Sequence, residues 1–233
     1  YSTLNPNLKT FIADMFGVVG RFDKIYCEKT QDYIKPDLKI TIKKITKFVS
    51  IKSGRSDVVQ MEDIKSLVLF LRSCGLSCEA QKTFLLHHYG DGTLDGSGKV
   101  RMSYHETYLK YKERIKAFND EVINNQDLIE KFVMRAVFEG VDPLADKATF
   151  LYFGNAEMGR VVSRSQVLKH LRKKKWGFYE NIHIGPLLIR PHARYAGTNV
   201  KNTWFHNHAD IYWPDLQADV EYIASRYYKS QDE

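Results

Sequence analysis

An acid and a lysine stand at matching places on two neighbouring runs of alternating apolar residues. The runs, PDLKITI and KFVSIKS, are joined through a pair of lysines. In a two-residue hairpin Ile42 pairs with Ile45, so Asp37 faces Ser50 and Lys52 lies two residues further on the same face. The spacing therefore predicts that Asp37, Ser50 and Lys52 converge at one edge of a sheet.

These side-chain types suit the hydrolysis of phosphodiester bonds. An ionised carboxylate can hold a hard divalent cation such as Mg²⁺. A nearby ammonium can orient or help deprotonate an attacking water and offset the charge of a phosphate. On spacing alone, an ordinary salt bridge across a surface hairpin is the favoured interpretation.

The same residues carry a resemblance to a known family. Pro36-Asp37 followed by Ser50-Ile51-Lys52 resembles the signature of the PD-(D/E)xK nuclease superfamily, and the resemblance covers mainly residues 6–72. It implies an α/β protein with a restriction-endonuclease-like core, a central mixed sheet flanked by helices. It also implies a Mg²⁺-dependent endonuclease that cuts double-stranded DNA, site-specifically as type II restriction enzymes do. A homodimer would be natural, because two strands need two active sites.

One position departs from the family pattern. The acid usually found two residues before the lysine is Ser50 here, which could contribute through its hydroxyl or its backbone carbonyl. Some members carry the second acid on the following helix, and the matching residue is Glu62, with Asp63 as a fallback and Glu28 as a further acid. The resemblance thus implies a catalytic set in which Asp37 and Glu62 bind the metal and Lys52 positions water, with Ser50 as the fourth member.

Two further groups of residues are predicted to contact nucleic acid. Arg55 and Ser56 lie at the predicted start of a helix, where backbone N–H groups attract phosphate, although a capped turn explains them equally well. A basic helix is predicted from Ser163 to Lys175, and its charge would neutralise several phosphates unless it is simply a solvated face. Its cationic residues are Arg164, Lys169, Arg172, Lys173, Lys174 and Lys175.

Composition agrees with a globular protein that has an acidic partner. The 233 residues are 43% hydrophobic and carry a formal net charge of +7, which favours nucleic acid or a negative surface. No apolar run approaches the roughly 18 residues that span a bilayer, and no signal pattern opens the sequence. We therefore expect no membrane partner and a cytoplasmic location, in a prokaryotic or phage-encoded setting. The three cysteines are an odd, sparse set typical of reduced thiols.

Periodicity predicts the elements that must position these residues. A short amphipathic helix precedes the hairpin, and a helix ending at Gly75 is expected to follow it directly. Further helices are predicted at residues 79–89, about 104–139 and after Pro214, and TFLYFG reads as a strand. The predicted domains are residues 1–78, the first part of the nuclease core; 79–141, an inserted helical lobe; and 142–233, which completes the core.

Other patterns are weaker. The loop after Gly90 has acids at a spacing that resembles a calcium site, but Met102 stands where a bidentate Glu is required. His206, His208 and Asp210 lie close together, and a packed aromatic cluster is the favoured explanation for this segment. Two alternative functions stay open: a toxin-type or structure-directed nuclease acting on DNA or RNA, and a non-catalytic nucleic-acid-binding protein with a degenerate core, which Ser50 would explain.

Overall fold

Nine strands and seven α-helices build the part of the chain that the computed structural model describes, residues 1–30, 35–53, 58–176, 181–193 and 204–229. The strands are β1 (Ile25–Lys29), β2 (Leu38–Ile42), β3 (Ile45–Lys52), β4 (Val58–Asp63), β5 (Phe150–Gly154), β6 (Gly159–Ser163), β7 (His183–Ile184), β8 (Leu187–Pro191) and β9 (His208–Tyr212). The helices are α1 (Pro6–Phe16), α2 (Ile64–Ser73), α3 (Cys78–Tyr89), α4 (Tyr104–Ile123), α5 (Gln126–Val133), α6 (Arg164–Leu171) and α7 (Leu216–Lys229). A π-helix, Met134–Glu139, and a 3₁₀ turn, Trp204–Asn207, complete these elements.

The chain divides into two compact units. The first unit comprises Tyr1–Asp57, Met134–Lys173 and Asp215–Glu233, and the second comprises Val58–Val133 and Lys174–Pro214. Each unit thus combines stretches that are distant in sequence, whereas the predicted domains are three consecutive segments. Both units contain a sheet and helices, so the α/β class is confirmed.

A five-stranded mixed sheet forms the first unit, in the order β1-β2-β3-β5-β6. Strands β1, β2 and β3 are an antiparallel meander, β5 runs parallel to β3, and β6 is antiparallel to β5. The predicted hairpin register is confirmed, because Ile42 pairs with Ile45 and Leu38 with Val49. Lys43 adopts a positive φ of 57° at the turn, which primed hairpin turns require.

Helix α1 supplies one layer of the first unit's core. Asn5 caps the helix by accepting a hydrogen bond from the Leu8 N–H, and Pro6 occupies the first turn. The helix buries Phe11, Ile12 and Met15 in a cluster with sheet residues, namely Ile40, Ile42, Val49, Tyr152 and Val161. This packing fixes the hairpin from one side.

The second unit has a four-stranded antiparallel sheet, in the order β4-β9-β8-β7. The prediction of a helix directly after the hairpin is wrong for residues 58–63, which form β4 and pair with β9. The backbone groups of these residues bond to a strand about 150 residues later, a partner that helical periodicity cannot reveal. Helix α2 begins only at Ile64, because the Asp63 side chain accepts hydrogen bonds from the N–H groups of Lys65 and Ser66.

The long helical region is also divided. Helix α4 starts with a capping box between Ser103 and Glu106 and ends at Ile123. Asn125 then accepts a hydrogen bond from the Leu128 N–H at the start of α5. The predicted helix at residues 79–89, the closing helix and the TFLYFG strand are confirmed as α3, α7 and β5.

Within the described ranges, no helix is both long and apolar enough to cross a bilayer. The cysteines Cys27, Cys74 and Cys78 are free thiols, as predicted.

Candidate active site

The hairpin brings Asp37 and Ser50 into direct contact. The Asp37 N–H donates to the Val49 carbonyl at 3.0 Å, one residue out of the β2–β3 register, whose last pair is Leu38 with Val49. The Asp37 carboxylate accepts hydrogen bonds through Oδ2 from the Ile51 N–H at 2.6 Å and from the Ser50 hydroxyl at 3.2 Å. The strand pairing ends at Leu38 with Val49, one residue short of the predicted pair, but the side chains of Asp37 and Ser50 do meet, and two donors hold the carboxylate.

A lysine that the motif did not include lies at the centre of this cluster. Lys35 is only 6% exposed, and its Nζ donates to the Ser50 Oγ at 3.1 Å. The Lys35 amine also lies close enough to Lys52 and to Asp37 for both of their charges to act on it. Lys35 therefore contacts Ser50 directly and interacts electrostatically with Asp37 and Lys52.

The electrostatics of Lys35 follow from this position. Its pKa is held well below the ordinary value for lysine, chiefly because burial removes solvent from the charged form. The positive charge of Lys52 acts in the same direction, while the negative charge of Asp37 opposes the shift. Burial is therefore the main influence on the charge of Lys35, and the two neighbouring charges act on it in opposite directions.

The donors in this cluster suit a magnesium ion that is shared with a substrate. Mg²⁺ is commonly bound in proteins through one or two carboxylates together with substrate phosphates and water. Asp37 supplies a carboxylate here, and the Ser50 hydroxyl lies beside it. Among the described residues no group of three or more His, Cys, Asp or Glu side chains gathers as a metal site, so a phosphate oxygen would have to complete the coordination.

The acids expected to join Asp37 lie elsewhere. Glu62 is on strand β4 of the second unit rather than on a helix; it is 3% exposed and accepts a hydrogen bond from the Ser66 hydroxyl at 3.2 Å. Asp63 caps α2. Glu28 lies on the edge strand β1 and pairs with Lys39 at 3.4 Å. The structure thus brings Asp37, Ser50 and Lys52 together within the first unit, and the metal-binding role of Glu62 stays a prediction.

Only some of the residues predicted to contact nucleic acid lie on a helix that the structure describes. Arg55 and Ser56 lie outside the described residues. The prediction of a helix through Lys175 is wrong, because α6 ends at Leu171. Clustered like charges at helical spacing repel one another and favour this early end.

The six cations consequently differ in their surroundings. Arg164 pairs with Glu139 at 2.5 Å, and Lys169 lies in the last turn of α6. Arg172 caps the helix, and Lys173, Lys174 and Lys175 follow it. Lys174 lies over the ring of Trp176, 5.2 Å from its centre. The basic charge is therefore carried mostly by the segment after the helix.

The loop after Gly90 is organised by its own hydrogen bonds. The Asp91 carboxylate accepts from the N–H and the hydroxyl of Thr93 and from the Gly98 N–H. These contacts agree with the interpretation of this segment as a polar loop.

The segment containing the adjacent histidines holds a pair that the sequence did not reveal. Asp210 contacts His192, which directly follows strand β8. His206 is buried, and its backbone carbonyl is hydrogen-bonded to Nε2 of His88. This contact depends on the register of β8 and β9, which the sequence does not show. The alternation of polar residues along RPH and HADIY was the one sequence feature that pointed to it.

Comparisons with protein-family models, with curated protein sequences and with solved structures find no match for this chain.

Proposed function

We propose that this chain is a Mg²⁺-dependent endonuclease that hydrolyses phosphodiester bonds in double-stranded DNA. The observation that carries the proposal is the cluster at the end of the β2–β3 hairpin. There Lys35 hydrogen-bonds to Ser50 and interacts electrostatically with Lys52, and Ser50 hydrogen-bonds to Asp37. An oxygen ligand for a hard cation and an amine that can position water thus occur in one small region.

Each residue of the cluster has a distinct role in this proposal. Asp37 would bind the ion, and its orientation is set by the Ile51 N–H and the Ser50 hydroxyl. Lys52 would orient the attacking water, and Lys35 would hold Ser50 in place. The bound ion would polarise the phosphoryl oxygens and offset the charge that develops on them.

The architecture of the first unit supports the same proposal. A helix, an antiparallel three-stranded meander and a strand parallel to β3 make a mixed sheet that carries the Asp37 motif on β2 and β3. We propose the restriction-endonuclease-like fold for this unit on that basis. Site-specific cutting and a homodimer belong to the proposal as well, since two strands require two active sites.

The test is a cleavage assay on plasmid and phage DNA with Mg²⁺ or with EDTA. We expect discrete Mg²⁺-dependent fragments from the native chain and none from Lys52→Ala. The matched control is Lys44→Ala, which removes an exposed lysine from the tip of the same hairpin and should cleave normally. Equal cleavage by both variants would contradict the proposal.

One observation favours a second candidate function. Ser50 replaces the expected acid, is fully buried and is engaged by Lys35, which is compatible with a nuclease core that only binds nucleic acid. Binding of DNA in a mobility-shift assay without cleavage of DNA or RNA at any Mg²⁺ concentration would favour this function over catalysis.

A further inference from the structure

One face of the second unit's sheet carries a continuous row of polar and aromatic side chains. Arg190 on β8 pairs directly with Asp210 on β9, so their side chains share a face. Tyr212 lies on the same face because it is two residues from Asp210, and His192 because it is two residues from Arg190. The row, defined as Arg190, Tyr212, Asp210, His192 and Phe205, lies entirely within the second unit and shares no residue with the Asp37 cluster.

The centre of this row is a carboxylate that holds an imidazole. His192 Nδ1 lies 2.9 Å from Asp210 Oδ1 and 3.0 Å from Oδ2, and the Tyr212 hydroxyl donates to Oδ2 at 3.3 Å. The Asp210 side chain is only 12% exposed. A carboxylate beside Nδ1 favours the tautomer with the proton on Nδ1, which makes Nε2, on the far side of the ring, the basic nitrogen.

The two ends of the row suit a nucleic acid. Arg190 is exposed, and its guanidinium lies 5.6 Å from the centre of the Tyr212 ring. At the other end Phe205 is 51% exposed and stacks on His192, with ring centres 5.4 Å apart and planes 21° apart. An exposed guanidinium can bind phosphate, and an exposed aromatic ring can stack on an unpaired base.

We propose that this row is a second site, which cleaves single-stranded RNA without a metal ion. His192 Nε2 takes the proton of a ribose 2′-hydroxyl, and the 2′-oxygen attacks the adjacent phosphorus. The bond from phosphorus to the 5′-oxygen breaks, and the leaving oxygen takes a proton from water, while His192 returns its proton to solvent. The products are a 2′,3′-cyclic phosphate and a 5′-hydroxyl, so no further reactant is needed.

The other members of the row assist this step. Arg190 offsets the negative charge on the phosphate as the 2′-oxygen attacks. Phe205 stacks on a neighbouring base, a contact that unstacked single strands offer and duplexes do not. Asp210 is a positioning residue, since it acts through His192.

The first experiment incubates the full chain in EDTA with a fluorescent single-stranded RNA, and with the same strand made of DNA. We expect cleavage of the RNA alone, with 2′,3′-cyclic phosphate ends detected by mass spectrometry. His192→Gln should lower the rate by roughly 100-fold or more, the usual contribution of a general base. The control His105→Gln changes an exposed histidine on α4 and should leave the rate unchanged.

Asp210→Asn provides a readout that a purely structural role would not give. An amide can donate to Nδ1 and so favours the other tautomer, and we expect kcat to fall while KM stays the same. Circular dichroism establishes that each variant is folded. No EDTA-resistant cleavage by the native chain, cleavage of the DNA strand, or full activity in folded His192→Gln would each overturn the proposal.

Lys52→Ala separates this site from the proposed Mg²⁺ site. Cleavage of RNA in EDTA should be unaffected by that substitution, and Mg²⁺-dependent cleavage of DNA should be unaffected by His192→Gln. A loss of RNA cleavage in Lys52→Ala would assign that activity to the Asp37 cluster and overturn the proposal of a second site.

Discussion

Lys35 donates a hydrogen bond to the Ser50 hydroxyl at 3.1 Å, at the position where the nuclease resemblance implies an acid. Ser50 in turn donates to Asp37. A buried amine and a hydroxyl thus replace a carboxylate, and the local charge becomes less negative than two acids would make it. Within this cluster, the proposed binding of the metal ion consequently depends on the carboxylate of Asp37.

Lys35→Met should separate the chemical role of the amine from its packing. Methionine keeps an unbranched apolar stem, so we expect the free energy of unfolding to stay within about 1.5 kcal/mol of the native value or to rise. Lys35→Ala also leaves a cavity and should be less stable than the Met variant by roughly 2 kcal/mol. Urea denaturation measures both, and equal losses in the two variants would show that packing of the stem is unimportant.

The same pair of variants tests the role of Lys35 in catalysis. If Lys35 holds Ser50 and contacts Lys52 as proposed, both variants should lose most of their Mg²⁺-dependent cleavage even though their stabilities differ. Native activity in Lys35→Met would remove Lys35 from the proposed site.

Asp37→Asn should separate metal binding from folding. The amide oxygen can still accept the hydrogen bond from the Ile51 N–H, so we expect a loss of stability of only about 1 kcal/mol, as a charged acceptor becomes neutral. Mg²⁺-dependent cleavage should fall by about 100-fold or more, at least as much as the loss of an outer-shell partner costs. The control Asp146→Asn changes an exposed acid of the first unit and should keep both properties. A tighter apparent Mg²⁺ affinity in Asp37→Asn would contradict its role as a ligand.

The hairpin was predictable from the sequence because its information is local. Two alternating runs and a short turn fix the register that pairs Ile42 with Ile45, and this register brings Asp37 to Ser50. Lys35 was missed because its contact with Ser50 lies outside the paired residues of β2 and β3 and is not fixed by their register. No periodic pattern marks a single buried lysine.

Strand β4 and the histidine pair were not predictable for a different reason. Val58–Asp63 has apolar residues that also fit a helix, and only its pairing with β9 decides in favour of a strand. The contact of His192 with Asp210 likewise requires β8 and β9 to be adjacent and in register. Such strand pairings form only in the tertiary structure. The sequence therefore showed the residue types but not their arrangement.

The basic segment after α6 should govern the salt dependence of DNA binding. Lys173 is exposed and Lys174 lies over Trp176. Replacing both by alanine should weaken binding and lower the slope of log affinity against log salt by about 0.9 for each lost phosphate contact. Fluorescence anisotropy in EDTA at several salt concentrations measures this slope. Lys112→Ala with Lys116→Ala, two exposed lysines of α4, is the matched control, and an equal change there would argue for a general charge effect.

Acid should destabilise the protein through His183. Burial, aided by the positive charge of Arg190, lowers the pKa of His183 from 6.5 to about 4. Between these values the unfolded chain binds a proton that the folded chain does not, so stability is complete above pH 6.5 and falls as the pH decreases toward 4. The loss from this residue amounts to at most about 3 kcal/mol, and it does not increase further below pH 4.

His183→Gln should remove this part of the pH dependence. We expect urea unfolding between pH 7 and pH 4 to show a smaller loss of stability in the variant than in the native chain. His105→Gln, at an exposed position, should retain the native pH dependence. An equal loss of unfolding free energy in the native chain and in His183→Gln over this range would contradict the prediction. The acid sensitivity would then arise from other titratable groups.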